Sequence, residues 1–155
     1  MKRTLARAIG PHLANTPIPE TFVASLVLGG LLHALARRPI TRQGQTLRLQ
    51  GIGVLALGLL LNAWAMFAVR QIRIDQPERL ITSGPYAHSR NPMYLGWGLC
   101  SLGVAALANS CWLLAGTLAA GLYHHLIEIP KEEAALQARF GEIYHAYRRK
   151  VPRYL

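Results

Sequence analysis

Hydrophobic residues in this chain come in four long blocks, and almost all of the charge lies between them. The blocks run about Ile18–Ala36, Leu49–Val69, Pro92–Ala108 and Cys111–Ile129. Each is close to the ~20 apolar residues that a helix needs to cross a bilayer core, and longer than the ~10–14 usual for a buried soluble helix. None contains Lys, Arg or Asp, and the acidic residues Glu20 and Glu128 stand at the margins. The pattern predicts an all-α, polytopic membrane protein with four transmembrane helices. Asn109-Ser110 leaves room only for a tight turn, so the third and fourth spans form an antiparallel hairpin. Glycines recur within the blocks, which points to close helix packing through small residues.

After the last block, Pro130 lacks an amide N–H and clashes with the preceding turn, so a kink is expected there. Leu136, Phe140, Ile143, Tyr144 and Tyr147 then recur at helical spacing. They predict a C-terminal amphipathic helix, about Lys131 to Arg149, covering the mouth of the bundle. Leu5, Ile9 and Leu13 suit a short interfacial helix ahead of the first block. The chain reads as one domain, 1–155: an interfacial arm (1–17), a four-helix membrane bundle (18–129) and a cytoplasmic helix with its tail (130–155). The basic start and Ala34-Leu35-Ala36 end of the first block imitate a signal peptide, but the long polar lead-in favours an uncleaved span.

Charge adds an orientation. The chain is 52% hydrophobic and 15% charged, yet carries a formal net charge of +10. With four spans, the arm, the second loop and the tail share thirteen Lys and Arg, against four in the first loop. The excess of positive charge marks the cytoplasmic side. A multi-pass protein of the cytoplasmic (inner) membrane is expected, with both termini cytoplasmic. Arg37, Arg38, Arg42 and Arg48 of the first loop run against this rule and suit lipid phosphates. No nucleic-acid motif accompanies the basic charge, and contact with anionic lipid accounts for it better. Cys100 and Cys111 form no CxxC, and the six histidines follow no zinc pattern, so no metal site is expected.

The densest chemistry lies in one polar cassette, Leu80 to Gly98. Gly84-Pro85 signals a turn. Asn91-Pro92 reads as a helix entry, with Asn91 as N-cap and Pro92 in the first turn. Such an entry offers free amides and partial positive charge to a carboxylate or hydroxyl. Gly96 and Gly98 open a strip of helix backbone to a ligand, or serve packing. Tyr86 and Tyr94 suit stacking on a base, or an interfacial belt. Glu132-Glu133 suits the ammonium group of a ligand, or the dipole of its own helix.

Taken together, these residues resemble the integral-membrane methyltransferases of the isoprenylcysteine carboxyl methyltransferase and phospholipid N-methyltransferase family. The matching positions are Gly84, Tyr86, Arg90-Asn91-Pro92-Met93-Tyr94, Gly96, Gly98, Glu132-Glu133, Phe140-Gly141, Tyr144, Tyr147 and Val151-Pro152. They span about residues 70–153. The resemblance implies S-adenosylmethionine as cofactor at the cytoplasmic face, and a lipophilic acceptor taken from the bilayer. The implied cofactor residues are Gln71, Glu78, Arg79, Leu80 and Ile81 before the cassette, and Tyr86, His88, Asn91, Pro92, Met93, Tyr94, Gly96 and Gly98 within it. Glu132 and Glu133 complete the set, with Glu132 as the direct ligand.

The acceptor is an amine, carboxylate or hydroxyl. An amine or hydroxyl must lose a proton, and Glu128, His124 or His125 stands ready to take it. Arg90 is a further catalytic candidate, and an interfacial belt is the other use of the two histidines. The chain departs from the family twice. Asn91 replaces the usual His, and Glu128-Ile129-Pro130-Lys131 stands where isoprenylcysteine enzymes carry an Arg. A carboxylate at that level favours an amine-bearing or neutral lipid over an anionic one. Sterol-reductase-like proteins, which bind a nicotinamide cofactor, share an Arg-x-Pro-x-Tyr segment and give an alternative reading. A non-catalytic membrane assembly protein is a third.

Overall fold

The computed structural model describes residues 19–42, 44–70 and 78–155, and its regular elements are all helical. The expected interfacial arm and Gln71 lie outside the described residues. Helix α1 spans Glu20–Leu35 and α2 spans Gly44–Val69. A 3₁₀ turn at Gly84–Ala87 leads into α3, Pro92–Leu107. Helix α4, Cys111–Tyr123, passes through a π-helical turn, His124–Glu128, into α5, Ile129–Phe140. Helix α6, Glu142–Lys150, closes the chain.

Helix α2, with 26 residues and a mean hydropathy of 2.1 over its most apolar stretch, is long and apolar enough to cross a membrane. At ~1.5 Å per residue it is about 39 Å long. Helices α1 and α3 are apolar but have 16 residues each. Of the four expected spans, α2 alone reaches full length as a single regular helix. Local chemistry shortens the others. Helix α1 starts at Pro19, whose carbonyl accepts from the amides of Phe22 and Val23. Helix α3 stops before Asn109, which adopts a left-handed φ of 47°. Ser110 then caps α4 by accepting from the Leu113 amide, so the hairpin turns where expected.

Pro130 does not end the helix. Its missing N–H and its ring would trouble a regular α-turn. The helix instead widens, the Ile129 amide reaching back to the His124 carbonyl, five residues earlier. Helical backbone therefore continues from Cys111 to Phe140. The predicted single tail helix is broken instead at Gly141, whose φ of 52° suits glycine. The break re-phases the tail. Ile143, expected on the apolar face, is exposed, while Tyr144, Tyr147 and Val151 are buried against Leu80, Leu136 and Phe140.

The bundle is small inside and large outside. Ala65, Ser101, Ala105 and Ser110 are fully buried, whereas Leu28, Leu31, Leu59, Leu60, Phe67, Leu118 and Leu122 are exposed. Packing is densest between α2 and α3, and between α1 and α4. The closeness comes from glycine. A Cβ at Gly58 would lie 2.7 Å from the Cys100 amide nitrogen, and one at Gly103 would lie 2.7 Å from the Leu55 amide nitrogen. We expect Gly58→Val and Gly103→Val each to cost at least ~1–3 kcal/mol through overpacking. Gly53, with open space around it, is the control. Thermal unfolding in detergent should show both losses and leave Gly53→Ala near wild type.

Candidate active site

The cassette is held between the bundle and the C-terminal tail. Gly84, at φ 62°, begins its turn. The Arg90 amide donates to the Pro152 carbonyl at 3.0 Å. The Arg153 carbonyl accepts from Ser89 Oγ (3.3 Å) and Asn91 Nδ2 (3.2 Å). The Tyr147 hydroxyl donates to the Tyr86 carbonyl at 2.7 Å. Asn91 therefore does not cap α3 with its side chain, as the sequence suggested. The amide is spent on the tail, and the N-cap position carries no side-chain cap bond.

The two adjacent carboxylates are in different situations. Glu133 is buried, and both of its oxygens are engaged. Oε1 accepts from Arg90 Nη1 (2.6 Å) and Arg153 Nε (3.2 Å), and Oε2 accepts from Arg153 Nη2 (2.8 Å). Two guanidiniums leave it no free charge. Glu132 makes no ion pair among the described residues and accepts from the Tyr94 hydroxyl at 2.6 Å. Burial raises its pKa, Tyr94 partly offsets that, and the charge of Glu128 raises it further. It is the one member of the pair with negative charge to offer.

A cavity of about 740 Å³ opens beside Glu132, among Arg79, Leu80, Ile81, Tyr86, Met93, Tyr94, Trp97, Leu136 and Arg139. Asn91, Pro92, Arg90, Glu133, Tyr144 and Tyr147 also line it. Its size suits a small-molecule ligand (~300–1,000 Å³). Burial pushes the Tyr147 phenol up to about 12 and raises those of Tyr86 and Tyr144. At neutral pH all three phenols stay protonated and none serves as a base. Arg90 Nε is buried on this wall and has no hydrogen-bond partner among the described residues.

A second, apolar cleft of about 500 Å³ lies between α1, α3 and α4. Phe22, Leu95, Leu99, Leu102, Leu118 and Leu122 line it, with His124, His125 and Tyr154 toward one end. Tyr94 belongs to both spaces. The His124 ring stands 4.6 Å from the Tyr94 ring and 5.0 Å from Phe22, and bonds the Thr21 hydroxyl.

The predicted site residues separate accordingly. Arg79, Leu80, Ile81, Tyr86, Asn91, Pro92, Met93, Tyr94, Glu132 and Glu133 come together around the first cavity. Arg90 joins them, but as the partner of Glu133. Glu78 and His88 do not line it; His88 stands near Trp64, with ring centres 6.4 Å apart. Gly96 faces Asn62 of α2, where a Cβ would lie 2.7 Å from Asn62 Cγ, and Gly98 lies on the second cleft. His124 lines that cleft as well. Glu128 lines neither space; it takes hydrogen bonds from Tyr123 (2.8 Å) and Lys131 (3.2 Å). Arg153 and Tyr154 escaped the sequence reading. Only Val151-Pro152 beside them hinted that the tail returns to the site.

The fold and site thus define a helical protein with a cavity of small-molecule size, mostly apolar but edged by Glu132, Arg79 and Arg139, next to an apolar cleft. Residues 47–143 match the family described as phospholipid methyltransferase, and the chain belongs to that methyltransferase family. It is similar to protein-S-isoprenylcysteine O-methyltransferases of three organisms. The Xenopus laevis protein is 38% identical over 73 residues, 47% of this chain and 25% of its own length. That of Schizosaccharomyces pombe is 31% identical over 115 residues, 65% and 46% respectively. That of Mus musculus is 30% identical over 123 residues, 74% and 43%. The chain thus spans less than half the length of these relatives. No solved structure matches it.

Proposed function

We propose that the chain is a membrane-embedded methyltransferase that uses S-adenosylmethionine and methylates a lipophilic acceptor. The observation that carries this reading is the unneutralised Glu132 carboxylate on a cavity that meets an apolar cleft at Tyr94. The residues fit the cofactor. Glu132 suits its ammonium group, Arg79 or Arg139 its carboxylate, and Tyr86, Met93 and Trp97 the base. S-adenosylmethionine supplies a methyl group on a sulfonium cation, open to in-line displacement by a nucleophile.

Catalysis then rests mainly on positioning. Glu133, Arg90 and Arg153 hold the cavity wall. Tyr94 orients the Glu132 carboxylate. The leucine-lined cleft holds the hydrocarbon part of the acceptor beside Tyr94. His124 is the candidate proton acceptor for an amine or hydroxyl, being 4.6 Å ring to ring from Tyr94. The proposal gives Glu128 no proton to carry, because Lys131 and Tyr123 already hold it away from both spaces.

The membrane part of the reading rests on the small-inside, large-outside bundle and on the length of α2. Four crossings follow if α1 and α3 cross where the bilayer thins or flanking residues snorkel, and α4 crosses together with its π-turn. Both termini and the Glu132 cavity are then cytoplasmic.

Isothermal titration with S-adenosylmethionine across pH tests the cofactor assignment. Glu132 attracts a cation only when ionised, so affinity should be full at higher pH and fall as pH drops through its pKa. That fall should come above the usual glutamate range, because burial raises the pKa. The slope approaches one tenfold loss per pH unit, and Glu132→Gln should flatten it. A pH-independent affinity in the wild type would remove Glu132 from the cofactor site.

A further inference from the structure

The four first-loop arginines have no part in the site above. Arg37 and Arg38 follow α1, Arg42 precedes α2, and Arg48 lies in its second turn; all four are exposed. They sit at the end of the bundle that also carries the Asn109-Ser110 turn. The sequence has no Asp or Glu between Glu20 and Asp75, nor between Glu78 and Glu128. The described residues of this end therefore carry no carboxylate. The acidic residues that line the site, Glu132 and Glu133, belong to the opposite end.

This arginine-bearing loop is tied down firmly. Asn109 Oδ1 accepts from the amides of Ile40 (2.9 Å) and Thr41 (3.1 Å), and its Nδ2 donates to the Thr41 carbonyl at 2.8 Å. The Cys111 amide donates to the Arg38 carbonyl at 2.8 Å. The Trp112 indole donates to the Ala36 carbonyl at 2.7 Å. The left-handed backbone of Asn109 is what turns its amide toward the loop. Gly44, the first residue of α2, packs so close that a Cβ there would lie 3.1 Å from Asn109 Nδ2.

Helix energetics does not explain the charges. Arg42 and Arg48 flank the N-terminal end of α2, where the helix dipole is positive and disfavours cations. A helix N-terminus with nearby cations favours anions. Four guanidiniums on a tied-down loop, with no carboxylate near them among the described residues, match phosphate, which guanidinium binds in a fork. The exposed leucines Leu35 and Leu49 lie beside it, and the exposed Trp112 bond places an amphipathic ring at the same level. Apolar surface next to the charges selects phosphate attached to a lipid.

We propose that residues 36–42, 44–48 and 109–112 form a binding surface for the phosphate headgroups of anionic phospholipids, at the end of the bundle opposite the cofactor cavity. The proposal rests on the membrane reading but not on the identity of the acceptor. The arginines hold the bundle at its depth in the bilayer from the far leaflet, and the Asn109 clamp keeps them in place.

The test uses the purified full chain in detergent micelles doped with phosphatidylglycerol or phosphatidylcholine, with thermal unfolding and retained lipid in native mass spectra as readouts. Phosphatidylglycerol should stabilise the wild type more than phosphatidylcholine does. R37Q/R38Q/R42Q/R48Q should weaken its apparent affinity for phosphatidylglycerol at least about tenfold, since each basic residue near an anionic surface contributes. R148Q/R149Q/K150Q, at the other end, should keep most of it. The half-sets R37Q/R38Q and R42Q/R48Q should each lose part, which keeps the test informative if the fourfold variant misfolds. Full retention in both half-sets would overturn the proposal. Equal stabilisation by inorganic phosphate in phosphatidylcholine micelles would overturn it too, by showing a small-anion site. A wild-type chain that stays dissolved without detergent would overturn the membrane reading and this proposal together.

Discussion

Replacing Glu132 by Gln should raise the dissociation constant for S-adenosylmethionine by about 10- to 150-fold, with the protein still folded. The figure follows from losing one hydrogen bond to a charged group, ~1.5–3 kcal/mol. The fold should survive because Glu132 has one side-chain partner among the described residues, the Tyr94 hydroxyl, and Gln can still accept from it. Tyr94→Phe removes that partner instead. It should leave the charge in place and weaken binding by a smaller factor, about 2- to 10-fold, through a less well oriented carboxylate. Calorimetric titration alongside thermal unfolding checks both. Wild-type affinity in Glu132→Gln would leave Glu132 as a helix-end residue that serves only the dipole.

Glu133→Ala should do the reverse: cost the protein ~3–5 kcal/mol, the usual result of breaking a buried ion pair by removing one partner. The side chains of Arg90 and Glu133 are each 10% exposed. Removing the carboxylate strands the Arg90 charge, whose Nε already has no partner among the described residues. Arg153, 29% exposed, can turn to solvent, so Arg153→Gln should cost less. Release of the tail should follow the loss of Glu133. Proteolysis of Val151–Leu155 and a lowered Tm in detergent are the readouts. If Glu133→Ala keeps the wild-type Tm while abolishing cofactor binding, the two carboxylates have been assigned the wrong way round.

That contrast marks where sequence reasoning reaches its limit. Glu132 and Glu133 are neighbours of identical chemistry. What separates them is Arg90, far upstream, and Arg153, near the end of the chain, and only the folded chain brings the three together. Asn91 illustrates the same limit. Its position before Pro92 reads as an N-cap, yet its amide serves a tail carbonyl that local patterns cannot reveal. For Gly96 and Gly98 the sequence left ligand access and packing both open; Asn62 of α2 packs at Gly96, while Gly98 lies on the apolar cleft. Periodic features were easier to read. The apolar blocks became α1 to α4, and the Asn109-Ser110 turn and the apolar spacing of Tyr144 and Tyr147 stand as expected. Ile143 failed because the glycine at 141 shifted the phase of the helix after it. Shared motif order exposed the family; single residues within it did not expose their partners.

The most direct test of the account is transfer itself. The purified chain, in nanodiscs made from extracted membrane lipid, is incubated with S-adenosylmethionine labelled in its methyl group, beside Glu132→Gln at subsaturating cofactor. The account predicts label accumulating in the organic phase with the wild type, at a rate cut roughly in proportion to the lost affinity, ~10- to 150-fold, in the variant. No label in the organic phase at saturating cofactor, or equal rates from the wild type and the variant, would contradict it.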